Sequence, residues 1–300
     1  MNFSIGLSFS AMEQLPSHKV SNQIHAVHSP RNAEGHIWAG NGMYLSLLFF
    51  DVANNNLNFR SHFKVGTNLT SISSYFGYEY VLYATTSSCF VRRFKLNVSA
   101  QTIDIDEDKN IYKFRKSAKY VSAVNGRVAV ACGDDYKVVL LSDNILTKEI
   151  HVKSIISTMK ASADVVLVGG IDGILYVFNE ELDEKGNLNL ESKILDIKIN
   201  KEDAIVVTED YIYQIDLNNL EITNKEKIEK KIKKAYIEDN EEGKRIVLWT
   251  YDSKVQQNAS IFLGDFLFYF TSSTIEGFGF PQDDKASSFL ANTIIYDENK

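Results

Sequence analysis

The sequence predicts an all-β chain built from one recurring hairpin unit and closed on itself as a ring. Three observations predict it. Pairs of apolar runs joined by a tight Gly or Asp turn return along most of the chain. Two sets of polar markers, one in those turns and one at the strand ends, keep a common period. The composition also suits strands, with 15 Tyr and 18 Phe against 3 Pro, because aromatic residues fill pleated surfaces and Pro interrupts ladders.

The clearest units are Gly126–Asn144, Ala163–Glu180 and Asp203–Asn218. Each is an apolar run, a small or acidic turn, and a second apolar run ending in Asp or Asn. Gly and Asp tolerate the positive φ that short hairpins demand, so each unit reads as two strands and a tight turn. Weaker copies occupy Ile37–Asp51 and Val81–Asn97. The strand-ending residues Asp51, Asn97, Asp143, Asn179 and Asp216 are spaced by 46, 46, 36 and 37 positions. The turn residues Asp135, Asp172 (followed by Gly173), Asp210 and Asp252 are spaced by 37, 38 and 42. Two independent markers with one period argue against coincidence.

An upstream strand precedes each hairpin: Asn22–Pro30, Asn68–Tyr75, Ala118–Val124, Lys153–Met159, Leu195–Asn200 and Ala235–Asp239. Strict alternation is poor in several, as expected where both faces of a sheet are covered. Outer strands such as Leu57–Phe63 and Asn110–Phe114 read as short and more polar. This gives six four-stranded units to about residue 259. The apolar hairpin Phe266–Phe280 begins a seventh, but its turn follows Asp252 too closely for a whole unit. The N-terminal segment Asn2–Phe9 is expected to complete it and leave no sheet edge open. The expected architecture is therefore a single closed β-propeller over residues 1–300, with seven blades, or six and an irregular tail. Residues 282–300 are expected as a peripheral tail or an extra strand through Phe289–Tyr296.

The pattern of small residue, turn Asp, Gly, strand, apolar residue and Asp is clearest in Gly169-Gly170-Ile171-Asp172-Gly173-Ile174-Leu175-Tyr176-Val177-Phe178-Asn179. It resembles the third and fourth strands of a WD-repeat blade. The family's closing Trp-Asp stands here as Phe50-Asp51, Phe178-Asn179 and Ile215-Asp216. Its Gly-His dipeptide is absent from the expected place in every unit, and Gly35-His36 lies directly before a third strand instead. Without that His the family's Asp–His–Ser–Trp network has no centre, so the chain is similar to a divergent member across residues 22–280. The resemblance implies a non-catalytic subunit of a larger eukaryotic assembly, binding other proteins through propeller faces and rim.

Composition narrows the function classes. Hydrophobic residues at 44% and charged residues at 24% are ordinary globular values, which exclude wholesale disorder. A net charge of −7 argues against general nucleic-acid affinity, since phosphate binding needs a basic surface. The start lacks a basic region followed by a long apolar one, and Ile261–Phe270 is too short and carries Asp265. Neither secretion nor membrane insertion is expected, and an intracellular location, cytoplasmic or nuclear, follows. Cys89 and Cys132 sit in apolar strand-like runs and read as reduced core thiols.

Candidate chemistry is sparse. His25 and His28, with Glu34 and His36, form the one cluster resembling a metal site, but residues three apart on a strand point to opposite faces. Gly169–Gly173 lies between two strands, so no helix N-terminus awaits a phosphate. The paired carboxylates Asp134-Asp135 and Asp283-Asp284 read as turn caps. The strongest charge feature is the run containing Lys225, Lys227, Lys230, Lys231, Lys233 and Lys234, a candidate surface for a partner. Interleaved Glu and the acidic stretch after it offset its field. No cofactor, metal or small-molecule substrate is expected. The expected role is a protein-interaction scaffold. The alternatives are a metal-assisted hydrolase with carboxylates converging on the central channel, and a nucleic-acid-associated propeller.

Overall fold

The computed structural model describes residues 13–14, 18–19, 23–29, 35–54, 56–76, 80–98, 103–240, 243–251, 257–263, 266–271, 274–279 and 292–296. Apolar runs such as Val128–Gly133 and Val165–Gly170 are buried along almost their whole length. A strand can be apolar at consecutive positions only if both faces of its sheet are covered. That condition organises the molecule.

The described strands fall into seven sheets. The first runs Ile24–His28, His36–Asn41, Tyr44–Asp51, Asn56–Lys64, and the second Leu69–Phe76, Tyr80–Thr86, Phe90–Val98, Ile103–Lys113. The third is Ala118–Ala123, Val128–Gly133, Lys137–Ser142, Ile145–His151, and the fourth Ile156–Ala161, Val165–Gly170, Ile174–Asn179, Glu184–Asn189. The fifth is Ile194–Asn200, Asp203–Thr208, Tyr211–Asp216, Glu221–Lys227. All five are antiparallel meanders. Each outer strand therefore closes the sheet of the hairpin before it, and at Asn56–Lys64 and Ile103–Lys113 it is long, not short. A tight turn places it beside the strand it follows.

The last two sheets explain why the sequence period breaks. The sixth has two consecutive strands, Ile232–Asn240 and Gly243–Thr250, and takes its third, Asn292–Tyr296, from the C-terminal region in parallel register. The next described strands after Thr250 form the seventh sheet: Gln257–Leu263, Phe266–Thr271 and Thr274–Gly279. Its outer edge is covered by the N-terminal strands Glu13–Gln14 and His18–Lys19, which pair with Thr274–Gly279. The N-terminal region does complete this sheet, but through these residues. Asn2–Phe9 lies outside the described residues, as does Asp252.

Apolar clusters lie between sheets, not within them. Trp38, Leu45 and Leu47 of the first sheet pack on Leu82, Phe94 and Leu96 of the second. Comparable clusters join second to third, third to fourth, fourth to fifth and fifth to sixth. The first sheet also meets the seventh, where the Phe50 and Phe268 rings stand edge-on with centroids 4.8 Å apart. First strands pack on first strands in succession, from Ile24–His28 through Ile232–Asn240 to Gln257–Leu263, which packs on Ile24–His28.

The same irregularity recurs on every first strand. A register shift follows the opening residue at Ile24, Leu69, Ala118, Ile156, Ile194, Ile232 and Gln257. A bulge steepens local twist, and repeating it at one position turns each sheet alike. Polar side chains then staple neighbouring first strands. The Ser74 amide donates to His28 Nε2 at 3.0 Å, the Ala123 amide to Ser73 Oγ at 2.9 Å, and the Ile237 amide to Asp196 Oδ2 at 3.0 Å.

A further side-chain link joins the second strands of the first two sheets. Fully buried Trp38 donates its indole N–H to the Tyr80 hydroxyl at 2.6 Å. Replacing Tyr80 by Phe strands that donor and should cost about 1–3 kcal/mol. Urea unfolding of the variant would show it, and an unmoved midpoint would refute the assignment.

Candidate interaction face

Loops and turns form a continuous belt on one face. Each of the first six sheets contributes the loop entering its first strand and the turn between its second and third. The loop carbonyl accepts from the start of the turn, and the end of the turn accepts from the residue opening the next loop. The belt runs from Gln23 O, accepting the Gly42 amide at 3.0 Å, to Lys231 O, accepting the Tyr251 amide at 3.3 Å. In its middle, the Val152 amide donates to Tyr136 O at 2.9 Å and the Ile171 amide to Ile155 O at 3.0 Å. The Leu190 amide follows, donating to Gly173 O at 2.8 Å.

The turn markers Asp135, Asp172 and Asp210 all lie on this belt. Asp172 Oδ1 accepts the Ile174 amide at 3.1 Å, and Asp135 Oδ2 accepts the Arg115 amide at 3.4 Å. Gly173 has φ +83°, and a Cβ there would meet the Ser192 backbone nitrogen at 2.9 Å, so Gly is required. The strand-end markers lie at the opposite end of the sheets. Asp216 Oδ1 accepts the Asn218 amide at 2.8 Å, Asn179 Oδ1 the Asp183 amide at 2.7 Å, and Asp51 Oδ1 the Ala53 amide at 3.1 Å. Asp143 itself takes positive φ in the turn, and Asn97 is the penultimate residue of its strand. The side-chain oxygens of Asp172, Asp216, Asn179 and Asp51 thus hold turns.

The belt also carries side chains that turn chemistry does not ask for. Met43, Tyr136, Ile155, Ile171 and Tyr251 lie on it with large exposed apolar surfaces. Tyr136 occupies the turn slot held by Gly173 in the next sheet and by Cys89 in the previous one, and has φ +62°. A bulky residue in the left-handed region costs roughly 1–2 kcal/mol. The Tyr136 hydroxyl makes no hydrogen bond among the described residues, and 38% of the residue faces solvent. Sequence reasoning passed over this residue. The signal was the slot itself, where aligned units hold Gly in one case and Tyr in the other. Cys89 sits in the same slot, half-buried in a turn instead of inside a strand.

The basic run is divided by the fold. Lys225 and Lys227 lie on the outer strand of the fifth sheet, Lys230 and Lys231 in the loop, and Lys233 and Lys234 on the first strand of the sixth. Lys225 bonds Glu191 at 2.6 Å and stands 4.1 Å above the Tyr211 ring. Lys231 pairs with Glu209 at 3.0 Å, and the Tyr251 hydroxyl donates to the same carboxylate at 3.2 Å. Burial, with Lys233 beside it, holds the Lys234 amine below its usual range. The run thus passes from rim to face to centre and forms no single strip.

His25 is exposed, whereas His28 bonds Ser74, so this pair diverges as strand geometry requires. Glu34 lies outside the described residues. Among the described residues no three His, Cys, Asp or Glu side chains gather as a metal site, and no helix is long and apolar enough to cross a membrane.

No protein-family model matches the sequence, and no curated protein does. The structure is similar to a crystal structure of Raptor from Chaetomium thermophilum, with a TM-score of 0.71 at 10% identity. The match covers 91% of this chain and 29% of that one, so this chain spans less than a third of its length. The likeness is one of fold. Matching solved chains number 1350, so the shape is widely shared and by itself names no activity.

The buried carboxyl at the first strands offers a direct measurement. Burial raises Asp196 above the usual carboxylate range, against the opposing effects of Lys160, Lys198 and the Ile197 and Ile237 amides. The folded chain then holds this proton to higher pH than the unfolded chain does. Stability falls as pH rises through the window between the two values. Asp196→Asn keeps an acceptor but cannot ionise. It should be more stable than the parent at pH 7, with the gap closing toward about pH 4. Urea midpoints measured across that range would reveal a gap that fails to close.

Proposed function

We propose that the chain is a closed seven-bladed propeller of the WD-repeat kind, working as a protein-interaction scaffold through its loop-and-turn belt. The observation that carries this reading is Tyr136. It places an exposed aromatic ring at a backbone position where Gly would be cheaper. Backbone strain kept beneath a partly exposed ring supports a role outside the fold, and Tyr is among the residues that dominate interface energetics. The cycle of first-strand contacts supports closure, and the likeness to Raptor supports a rigid all-β platform. On this reading the fold supplies shape and the belt supplies contacts, with no chemical step.

Substituting Tyr136 separates fold from function. Tyr136→Gly relieves roughly 1–2 kcal/mol of backbone strain but gives up side-chain contacts and adds about 0.5–1 kcal/mol of chain entropy. Its unfolding free energy should stay within about 0.5 kcal/mol of the parent's. Purified from its own cells with bound proteins, the parent should show hydrogen-exchange protection at 134–136, 153–155 and 171–173, and the variant should lose its partner. A parent that elutes alone as a monomer would sink the scaffold reading.

A further inference from the structure

Tyr136, Ile155 and Ile171 are neighbours on the belt, joined through the Tyr136–Val152 and Ile155–Ile171 backbone bonds. They form an exposed apolar strip across the third and fourth sheets, at 38%, 39% and 44% exposure. The charges around this strip are unequal in what they have left to offer. Of the nearby carboxylates, Asp134 is paired with Lys119 at 2.7 Å and Glu149 with Lys137 at 2.8 Å. Asp135 and Asp172 instead accept the Arg115 and Ile174 backbone amides and keep their charge. The exposed side chains of Arg115, Lys116 and Lys153 have no ion-pair partner among the described residues, so three cations face two such acids. They lie on the loops that enter the third and fourth sheets, beside the strip.

Resting on the scaffold reading, we propose that this strip docks an acidic peptide segment of a partner protein, anchored by one or more large apolar side chains. Apolar anchors fill the space over Ile155, Ile171 and the Tyr136 ring, while the peptide's carboxylates meet Arg115, Lys116 and Lys153. The local cations select an acidic segment, and they do so within a Debye length of about 8 Å. A broad anionic surface fits less well, because the chain as a whole carries −7 and would repel an extended plane of negative charge.

The test is a selection of displayed random 12-residue peptides on the full chain, followed by anisotropy titration of labelled winners at low and high salt. Winners should be rich in Asp and Glu around a Leu, Phe, Ile or Trp, and should weaken as salt rises. Ile171→Ser with Ile155→Ser should weaken them at least tenfold, and Lys116→Glu with Lys153→Glu by a similar factor. All four substitutions are at exposed positions, and unchanged thermal unfolding confirms that the fold persists. Winners without acidic character, winners indifferent to these substitutions, or no winners at all would overturn the proposal. Sedimentation with phosphatidylserine vesicles in the absence of peptide binding would overturn it in favour of a membrane. If the native partner protects a different part of the belt, this site falls and the scaffold reading stands. If there is no partner, both fall.

Discussion

Among the described residues, each of the first five sheets is buried on both faces by its neighbours, and the apolar clusters lie between sheets. Val130 and Cys132 belong to a cluster with Val166 and Val168, whereas Ala129 and Ala131 of the same strand belong to one with Val81 and Tyr83. Adjacent residues of one strand therefore serve two different interfaces. A unit removed from the series would expose two apolar faces at once, so its stability is largely that of its contacts with adjoining units. Contact between the first and seventh sheets spares the terminal units that exposure.

Given that constraint, the finer devices have clear tasks. The bulge on each first strand sets the same twist at the same radius, and polar staples fix how far one first strand sits from the next. The belt of loop-to-turn hydrogen bonds repeats these links at one face. Buried backbone polar groups need partners, and in a chain with little helix the turns must supply them. Asp, Asn, Ser and Thr recur at turns and strand ends for this reason. A carboxylate used in this way is not available for chemistry.

Against this economy the belt residues that do not serve the fold stand out. A ring on a left-handed backbone, two isoleucines in solvent and three cations without acid partners are local departures from consistency. Departures of this kind concentrate at functional sites. Their clustering on adjacent loops gives them a common neighbourhood that sequence separation conceals, since Arg115 and Ile171 are 56 positions apart.

The sequence by itself determined the all-β class, the repeat and the turn chemistry. These follow from short-range rules, in which apolar runs, Asp or Gly turns and capped strand ends act within a few residues. It also disclosed the break in period after Asp252. Only the tertiary structure decided what the break means, since a parallel strand from 292–296 and N-terminal edge strands at 13–14 and 18–19 are long-range pairings with no local signature. The repeated bulge was equally hidden, because it depends on packing between neighbouring first strands. The basic run from Lys225 to Lys234 shows the same limit for function. Its residues are contiguous in sequence, but the strand direction carries them from rim to centre. The strip at Tyr136, Ile155 and Ile171 is scattered in sequence and is assembled only when neighbouring sheets close against each other.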